Sequence, residues 1–329
     1  MMALLQVEDL HMYYSTLGGD VKAVDGIDFQ LNQGEVLGIV GESGCGKSSL
    51  ASTLMKLLPT NAKINEGKIL LEGTDLVQMS DPDVRRNVRW TKIALVPQGA
   101  MNALNPIFKV GDQISEAIMA HGDVSKKEAK ARTAELLKLV GVDPDRARHD
   151  PHEFSGGMKQ RAMIAMALAL TPKLVIADEP TTALDVIVQA GIIRLMVSIK
   201  SDLGTSFILI THDLALVAQM SDKVAIMYAG KFVETGGSGE VYKNPLHPYT
   251  LGLLGAFADI RRPKEALNSV PGAPPDLIEP PPGCRFNPRC PYAKDICREE
   301  EPKLLEVRPG HRVACHFWKE ISESRGPTR

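Results

Sequence analysis

The sequence lacks the features that mark membrane-spanning, secreted or nucleic-acid-binding chains. No apolar run among its 329 residues approaches the roughly 20 residues that a membrane helix needs. Acidic residues appear as early as Glu8, which is too early for the core of a signal peptide. Lysine and arginine total 38 against 40 acidic residues, and the formal net charge of −2 gives no electrostatic reason to expect a nucleic-acid partner. We therefore expect a cytosolic protein whose membrane role, if it has one, comes through partners.

Length and composition indicate a globular protein of two parts. Hydrophobic residues make up 44% and charged residues 24% of the chain, which is ordinary for a globular protein, and the length exceeds one typical domain. We expect an α/β domain over residues 1–250, with an N-terminal β-hairpin over residues 4–34 and a helical subdomain at about 111–172. We expect residues 251–329 to form a C-terminal extension, which contains a proline-rich connector over residues 263–282.

The chain is organised around a glycine-rich turn between a predicted strand, residues 36–40, and a predicted helix, residues 49–58. The turn reads Gly41-Glu-Ser-Gly-Cys-Gly-Lys47-Ser48, which in this context is a P-loop. Its glycines let backbone amides surround a polyphosphate, and the helix N-terminus adds partial positive charge. Lys47 can reach the β- and γ-phosphates, and the Ser48 hydroxyl can ligate Mg²⁺. A turn that merely links strand to helix is the alternative, and the full pattern argues against it.

Polar side chains directly follow three other short apolar runs that read as buried strands. They are Gln98, the adjacent pair Asp178 and Glu179, and His212. Ligands bind at the carboxyl ends of the strands in open α/β sheets. Asp178 can hold Mg²⁺, and Glu179 can accept a proton from an attacking water. The alternatives are a surface glutamine, a helix-capping acidic turn and a structural histidine.

Two further positions suit a nucleotide. Ser155 precedes two glycines and a long apolar helix, so it is a candidate N-cap at a second anion-binding helix terminus, although a capped core helix would look the same. Tyr14 lies near the end of the first strand, where its ring could stack on adenine or simply be half-buried.

Together these segments resemble the ATP-binding subunit of ABC transporters over about residues 4–250. The Ser-Gly-Gly signature, at its place in the chain, separates this family from other P-loop proteins. Residues 154–158 read Phe-Ser-Gly-Gly-Met rather than the commoner Leu-Ser-Gly-Gly-Gln, but the serine and both glycines remain. Residues 96–106, residues 244–249 and the Cys-rich tail look like the dipeptide/oligopeptide/nickel importer branch. The implied fold is the ABC-type P-loop NTPase domain: a mixed sheet core, an N-terminal antiparallel β subdomain and a helical subdomain.

The resemblance implies an ATP site shared by two subunits that meet head to tail. Ser155 and Gly157 of one subunit would close on ATP held by Lys47 and Ser48 of the other. The implied catalytic residues are Glu179, His212 and Gln98, and the implied Mg²⁺ ligands are Ser48, Gln98 and Asp178. The implied nucleotide-binding residues are Tyr14, Gly41, Ser43, Gly44, Cys45, Gly46, Lys47, Ser48, Ser49, Ser155, Gly156, Gly157 and Asp185.

The resemblance also implies partners and a location. They are a second ATPase subunit (identical or paralogous), two integral membrane permeases and an extracytoplasmic solute-binding protein, at the cytoplasmic face of a prokaryotic cell membrane. We expect the chain to energise peptide import; the same machinery could import nickel chelates or oligosaccharides. A soluble ABC ATPase in DNA repair or translation is disfavoured by the single nucleotide-binding unit, the mild negative charge and the lack of a long coiled-coil insertion. Intact Glu179 and His212 argue against a regulatory or metal-sensing protein in which ATP only gates binding.

Four of the five cysteines lie near the C-terminus: Cys284, Cys290, Cys297 and Cys315. A reducing compartment favours metal over disulfides there, and four thiolates suit zinc or iron–sulfur. The gaps are five, six and seventeen residues, whereas structural zinc usually uses pairs about two to four residues apart. His311 and His316 keep a mixed Cys/His zinc site open, and unligated thiols are the third alternative. Some members of the importer branch carry a [4Fe–4S] cluster on this pattern, so the resemblance favours a structural [4Fe–4S] cluster, with zinc as the alternative.

Overall fold

A computed structural model describes residues 3–255 and 270–324 of the chain. The strands are β1 (Leu5–Thr16), β2 (Gly19–Leu31), β3 (Val36–Val40), β4 (Ala62–Leu71), β5 (Thr74–Asp75), β6 (Ile93–Val96), β7 (Leu174–Asp178), β8 (Ser206–Thr211), β9 (Lys223–Tyr228), β10 (Lys231–Gly237), β11 (Leu305–Arg308) and β12 (His311–Val313). The α-helices are α1 (Lys47–Leu54), α2 (Asp81–Asn87), α3 (Val110–His121), α4 (Lys126–Leu139), α5 (Gly156–Ala167), α6 (Val186–Leu203), α7 (Leu214–Met220), α8 (Ser238–Lys243), α9 (Pro248–Gly255), α10 (Ile296–Glu299) and α11 (Trp318–Ser324). None of these described helices is long and apolar enough to cross a membrane.

The central sheet has the order β11-β12-β10-β9-β3-β8-β7-β6. Strands β9, β3, β8, β7 and β6 run parallel, whereas β10, β12 and β11 pair antiparallel at one edge. All five residues of β3 and all six of β8 are buried, as expected for parallel strands covered on both faces. The carboxyl ends of β3, β8, β7 and β6 therefore share one edge, where the predicted site residues follow.

A second, antiparallel sheet has the order β2-β1-β4-β5. It confirms the hairpin expected over residues 4–34, and β4 joins it from beyond the P-loop helix. Apolar residues of β3 divide between two cores: Leu37 and Ile39 pack with this sheet and α1, whereas Val36 and Val40 pack with α3 to α7. The mixed sheet with an antiparallel β subdomain and a helical region confirms the predicted fold class.

Two local predictions in the helical region are confirmed by cap geometry. Ser125 caps α4 in a full capping box with Glu128, and the Ser155 side chain accepts a hydrogen bond from the amide of Met158 at the start of α5. Helix α1 ends at Leu54, four residues before the predicted end at Leu58.

The C-terminal extension adds strands to the central sheet. Strand β12 pairs with β10, where Glu234 lies opposite Val313. The Glu234 carboxylate is fully buried, accepts bonds from the amides of Leu246 and His247, and lies 2.8 Å from Nε2 of His311. Buried partners of this kind attach the extension firmly to the sheet.

The predicted boundary at residues 250/251 stays a prediction. It falls inside α9, and the first part of the predicted connector, residues 263–269, lies outside the described residues, as do residues 325–329 of the predicted extension.

Candidate functional site

The P-loop joins β3 to α1 through a turn that close packing restricts to glycine at both ends. A Cβ atom on Gly41 would lie 2.1 Å from the carbonyl oxygen of Met227, and one on Gly46 would lie 2.0 Å from the carbonyl oxygen of Ala23. Gly46 also has φ of 109°, a conformation that side chains disfavour. The glycines are therefore required by the neighbouring strands as well as by the approach of a phosphate.

Lys47 lies in the curve of this loop and is 5% exposed. Its Nζ donates to the carbonyl oxygens of Gly41 at 2.7 Å and Glu42 at 2.8 Å. The Cys45 sulfur is 3.7 Å from Nζ, and burial raises the pKa of that thiol. The ammonium is thus held on the side of the loop on which its backbone would meet phosphates.

Asp178, the last residue of β7, lies beside the start of α1. Burial raises the pKa of its carboxyl, although a hydrogen bond with the Ser48 side chain opposes that rise. Among the described residues nothing donates a hydrogen bond to its buried Oδ1. An unpaired buried carboxylate oxygen is costly, and a cation would satisfy it. Hydroxyl and carboxylate oxygens are ligands that Mg²⁺ prefers, so this pair fits the ion.

Glu179 contacts two of the other residues predicted to lie at strand ends, Gln98 and His212. Its Oε2 accepts hydrogen bonds from Gln98 Nε2 at 3.1 Å and from Thr182 Oγ1 at 2.9 Å, and its Oε1 lies 3.4 Å from His212 Nδ1. The Glu179 side chain is 13% exposed, whereas that of His212 is 63% exposed. Glu179 also has φ of 47°, in the left-handed region that non-glycine residues rarely adopt. Strain of this kind persists where surrounding contacts determine the conformation, often at functional sites.

Tyr14 lies in β1 next to α1, and its hydroxyl donates to Ser49 Oγ at 3.1 Å. This bond brings two predicted nucleotide-binding residues together beside the P-loop. Whether the ring stacks on adenine stays a prediction.

Two family models match this chain. Residues 24–182 match the family described as ABC transporter, and residues 233–297 match the family described as oligopeptide/dipeptide transporter, C-terminal region. The oligopeptide transport ATP-binding protein OppD of Bacillus subtilis is 49% identical over 314 residues, which cover 94% of this chain and 87% of that protein. The dipeptide transport ATP-binding protein DppD of the same organism is 46% identical over 323 residues, covering 97% of this chain and 96% of that protein.

The chain belongs to the ABC transporter family. Within that family it belongs with the ATP-binding subunits of the dipeptide/oligopeptide/nickel branch, and it is an ABC-type ATPase. Among solved structures, the dimeric post-hydrolysis state of the ATP-binding cassette MJ0796, bound to ADP and Pi, aligns with a TM-score of 0.64 at 25% identity. That alignment covers 71% of this chain and 98% of the other.

The signature of this ABC subunit lies beside the start of α6. A Cβ atom on Gly157 would lie 2.7 Å from Cγ1 of Val188, whose amide donates to Oδ1 of Asp185 at 3.0 Å. Ser155 and Asp185 are both exposed. Within residues 3–255 and 270–324, no hydrogen bond joins either of them to the P-loop. The structure therefore groups the predicted site residues into two sets, one around the P-loop and Glu179 and one around Ser155.

The four C-terminal cysteines of this ABC subunit line one small cavity, together with His247 and His316. All four thiols are free. Burial raises the pKa of Cys284 to about 11 and that of Cys315 to about 12. His311, which a mixed zinc site would have used, bonds to Glu234 and is not among the residues lining the cavity.

Several contacts at the site are missed by sequence reasoning. Thr182 follows Glu179 by three residues, a spacing at which a hydroxyl can reach back to a carboxylate. By contrast, the carboxylate of Glu42 in the P-loop is held by Arg289, 247 residues away in the chain. No local pattern signals that pair.

Proposed function

We propose that this chain hydrolyses ATP to drive the import of peptides across the cytoplasmic membrane. The observation that carries the proposal is the Glu179 carboxylate, fixed by Gln98 beside a buried Asp178 oxygen that nothing in the described residues satisfies. The names of the relatives, oligopeptide and dipeptide transport ATP-binding proteins, support peptides as the cargo. Nickel chelates and oligosaccharides would use the same ATPase chemistry, so they are the competing cargoes in the test.

Hydrolysis follows from the groups around Glu179. A water oxygen attacks the γ-phosphorus of ATP, and the bond from that phosphorus to the β–γ bridging oxygen breaks, releasing ADP and phosphate. Glu179 accepts the proton of the attacking water as general base. The bonds from Gln98 and Thr182 fix the orientation of the carboxylate, and His212, 3.4 Å from Oε1, would support it from that side. Lys47 offsets negative charge on the β- and γ-phosphates.

Mg²⁺ would be held by the Ser48 hydroxyl and the Asp178 carboxylate, with the amide oxygen of Gln98 as a further ligand. Bound there, it would neutralise charge on the phosphate oxygens. The buried Oδ1 of Asp178, which has no hydrogen-bond partner among the described residues, supports this ligand set because a cation would satisfy it.

Two protomers would complete each ATP site. The signature residues Ser155 and Gly157 and the exposed Asp185 would act on the nucleotide of the partner protomer. Val186 and Ile187, directly after Asp185, are 79% and 81% exposed, which supports a surface covered by another protein. The partner ATPase is a second copy or a paralogue.

The permeases would dock against the segment that follows Gln98. Ile107 and Phe108 in this segment are 81% and 54% exposed, which supports an apolar contact there. The assembly would then lie at the cytoplasmic face of the cell membrane and receive cargo from an extracytoplasmic binding protein.

The four C-terminal thiols would hold a [4Fe–4S] cluster of structural role, with zinc as the alternative. All four thiols line one cavity, which supports a single group held by all of them. When bound, a cluster would crosslink residues 284–315 through deprotonated thiolates.

Purification of the affinity-tagged chain from its own cells with mild detergent tests the proposed assembly. We expect two integral membrane proteins and an ATPase partner to co-purify, and the ATPase rate of the complex to rise with peptide-loaded binding protein. Co-purification with nucleic acid or ribosomes instead, with no membrane protein, would favour a soluble ABC ATPase and contradict the proposal.

A further inference from the structure

Glu42 is the second residue of the P-loop, and each of its polar groups is held in place. Its amide donates to the Tyr249 hydroxyl at 2.8 Å, and its carbonyl oxygen accepts from Lys47 at 2.8 Å. Its two carboxylate oxygens accept from Arg289 at 2.6 and 2.9 Å. Two such parallel bonds form a bidentate pair, which restricts geometry more than a single bond does. Since phosphates bind the backbone of this loop, the placement of Glu42 bears on nucleotide binding.

Arg289 is itself fixed from several sides. Its guanidinium donates to the carbonyl oxygens of residues 270–272 at distances between 2.7 and 3.3 Å. It lies 5.7 Å from the centre of the Tyr228 ring, within cation–π range. The Arg289 side chain is only 6% exposed, and hydrogen bonding to Glu42 raises the pKa of its guanidinium still further, so it stays charged. A buried, fully charged arginine with this many partners has little freedom to move.

The position of Arg289 depends on the cysteine-bearing segment, residues 284–290. Arg289 is the last residue of the short 3₁₀ helix Asn287–Arg289. At the two ends of this helix, the amides of Asn287 and Cys290 donate hydrogen bonds to backbone carbonyl oxygens. Phe286 of this segment packs against the rings of Tyr228 and Tyr249, with ring centres 5.2 and 5.4 Å apart. The same segment therefore supports both the guanidinium and the tyrosine that hold Glu42.

We propose that Arg289 is a positioning residue for ATP binding. By fixing the Glu42 carboxylate it sets the conformation of the P-loop, so that nucleotide affinity depends on the folding of residues 284–290. The proposal rests on ATP binding at the P-loop and is independent of the cargo. Since coupling between two sites is reciprocal, ATP must stabilise residues 284–290 by the same factor.

The first experiment compares ATP binding by the full-length chain and by Arg289→Gln, using calorimetry. We expect the dissociation constant to rise at least about fivefold, the low end of typical coupling between sites. In the assembled complex, KM for ATP should rise more than kcat falls, because the groups around Glu179 are untouched. Arg298→Gln is the matched control: it removes an arginine of the same extension whose side chain is 60% exposed and pairs with Asp295.

A double-mutant cycle with Glu42→Gln identifies the route of the effect. If Arg289 acts through Glu42, Arg289→Gln should add little once Glu42→Gln is present, whereas fully additive losses would overturn the proposal. A second measurement uses the unmodified chain, so a folding defect caused by a substitution cannot affect it. ATP should slow amide hydrogen exchange in residues 284–290, and unchanged exchange there would overturn the proposal. Failure of the unmodified chain to bind ATP would overturn the proposed function as well.

Discussion

Gln98 Nε2 lies 3.1 Å from Glu179 Oε2, although 81 residues separate the two in the chain. Glu179 directly follows strand β7 and Gln98 lies two residues beyond the neighbouring parallel strand β6, in which Val96 pairs with Ala177. The register of the sheet therefore sets this contact, and it places the amide that would sense Mg²⁺ against the carboxylate that would take the proton.

Glu179→Gln should keep ATP binding but lower turnover by about 10²- to 10⁴-fold, the usual range for losing a general base. Glutamine preserves the shape of the side chain and can still bond to Thr182, but it cannot accept the proton. Because closure no longer ends in hydrolysis, ATP should trap a dimer that light scattering detects. Glu135→Gln, at an exposed position of α4, is the control. Near-normal ATPase activity of Glu179→Gln in the assembled complex would remove Glu179 from the base role.

Ser155→Arg should leave ATP binding by the isolated subunit unchanged and abolish dimer closure, since Ser155 would contact the nucleotide of the other protomer. Ser125→Arg is a matched control, because both serines accept a bond of 3.3 Å from an amide at a helix start. Both variants therefore lose a cap of typically about 1 kcal/mol. If Ser155→Arg alone weakens ATP binding by about tenfold, or about 1.4 kcal/mol, the assignment to the partner's site is wrong.

Much of the fold and site follows from local patterns. The capping box at Ser125 and the cap at Ser155 lie within single turns, so their residue types identify them. Gln98, Glu179 and His212 converge because each follows a buried apolar run, and parallel strands bring such ends to one edge.

Contacts between distant segments could not be predicted in this way. Arg289 bonds to Glu42, and β12 pairs with β10, but no residue spacing in the sequence indicates either contact. No pattern in the sequence indicates that the extension joins the sheet through the buried pair of Glu234 and His311. The left-handed backbone of Glu179 is likewise imposed by its surroundings, since glutamate has no preference for it.

Asp25 should make stability fall in acid. Although burial alone would raise its pKa, the hydrogen bond from Tyr13 and the charges of Lys231 and Arg285 lower the pKa to about 2 from the model-peptide value of 3.8. Ionised Asp25 therefore stabilises the fold fully above pH 3.8, by about 2 kcal/mol, and that contribution fades as the pH falls through 2. The difference in thermal midpoint between the wild-type chain and Asp25→Asn should shrink between pH 6 and pH 3. A constant difference would contradict the assignment.

Anaerobic purification should give a brown protein with about four irons per chain, because the four thiolates would hold one [4Fe–4S] cluster. Cys297→Ser should lose iron, whereas Cys45→Ser, at the buried cysteine of the P-loop, should keep it. A colourless anaerobic sample with about one zinc and no iron would show that the alternative metal is correct.

The measurement that tests the central claim most directly is peptide uptake by liposomes that contain this chain with its ATPase partner and permeases. With peptide-loaded binding protein outside and ATP inside, we expect labelled peptide to accumulate, and accumulation to stop with Glu179→Gln. Nickel chelates and oligosaccharides, offered with the same binding protein, should not accumulate. ATP hydrolysis without uptake of peptide, or uptake that persists with Glu179→Gln, would contradict the account.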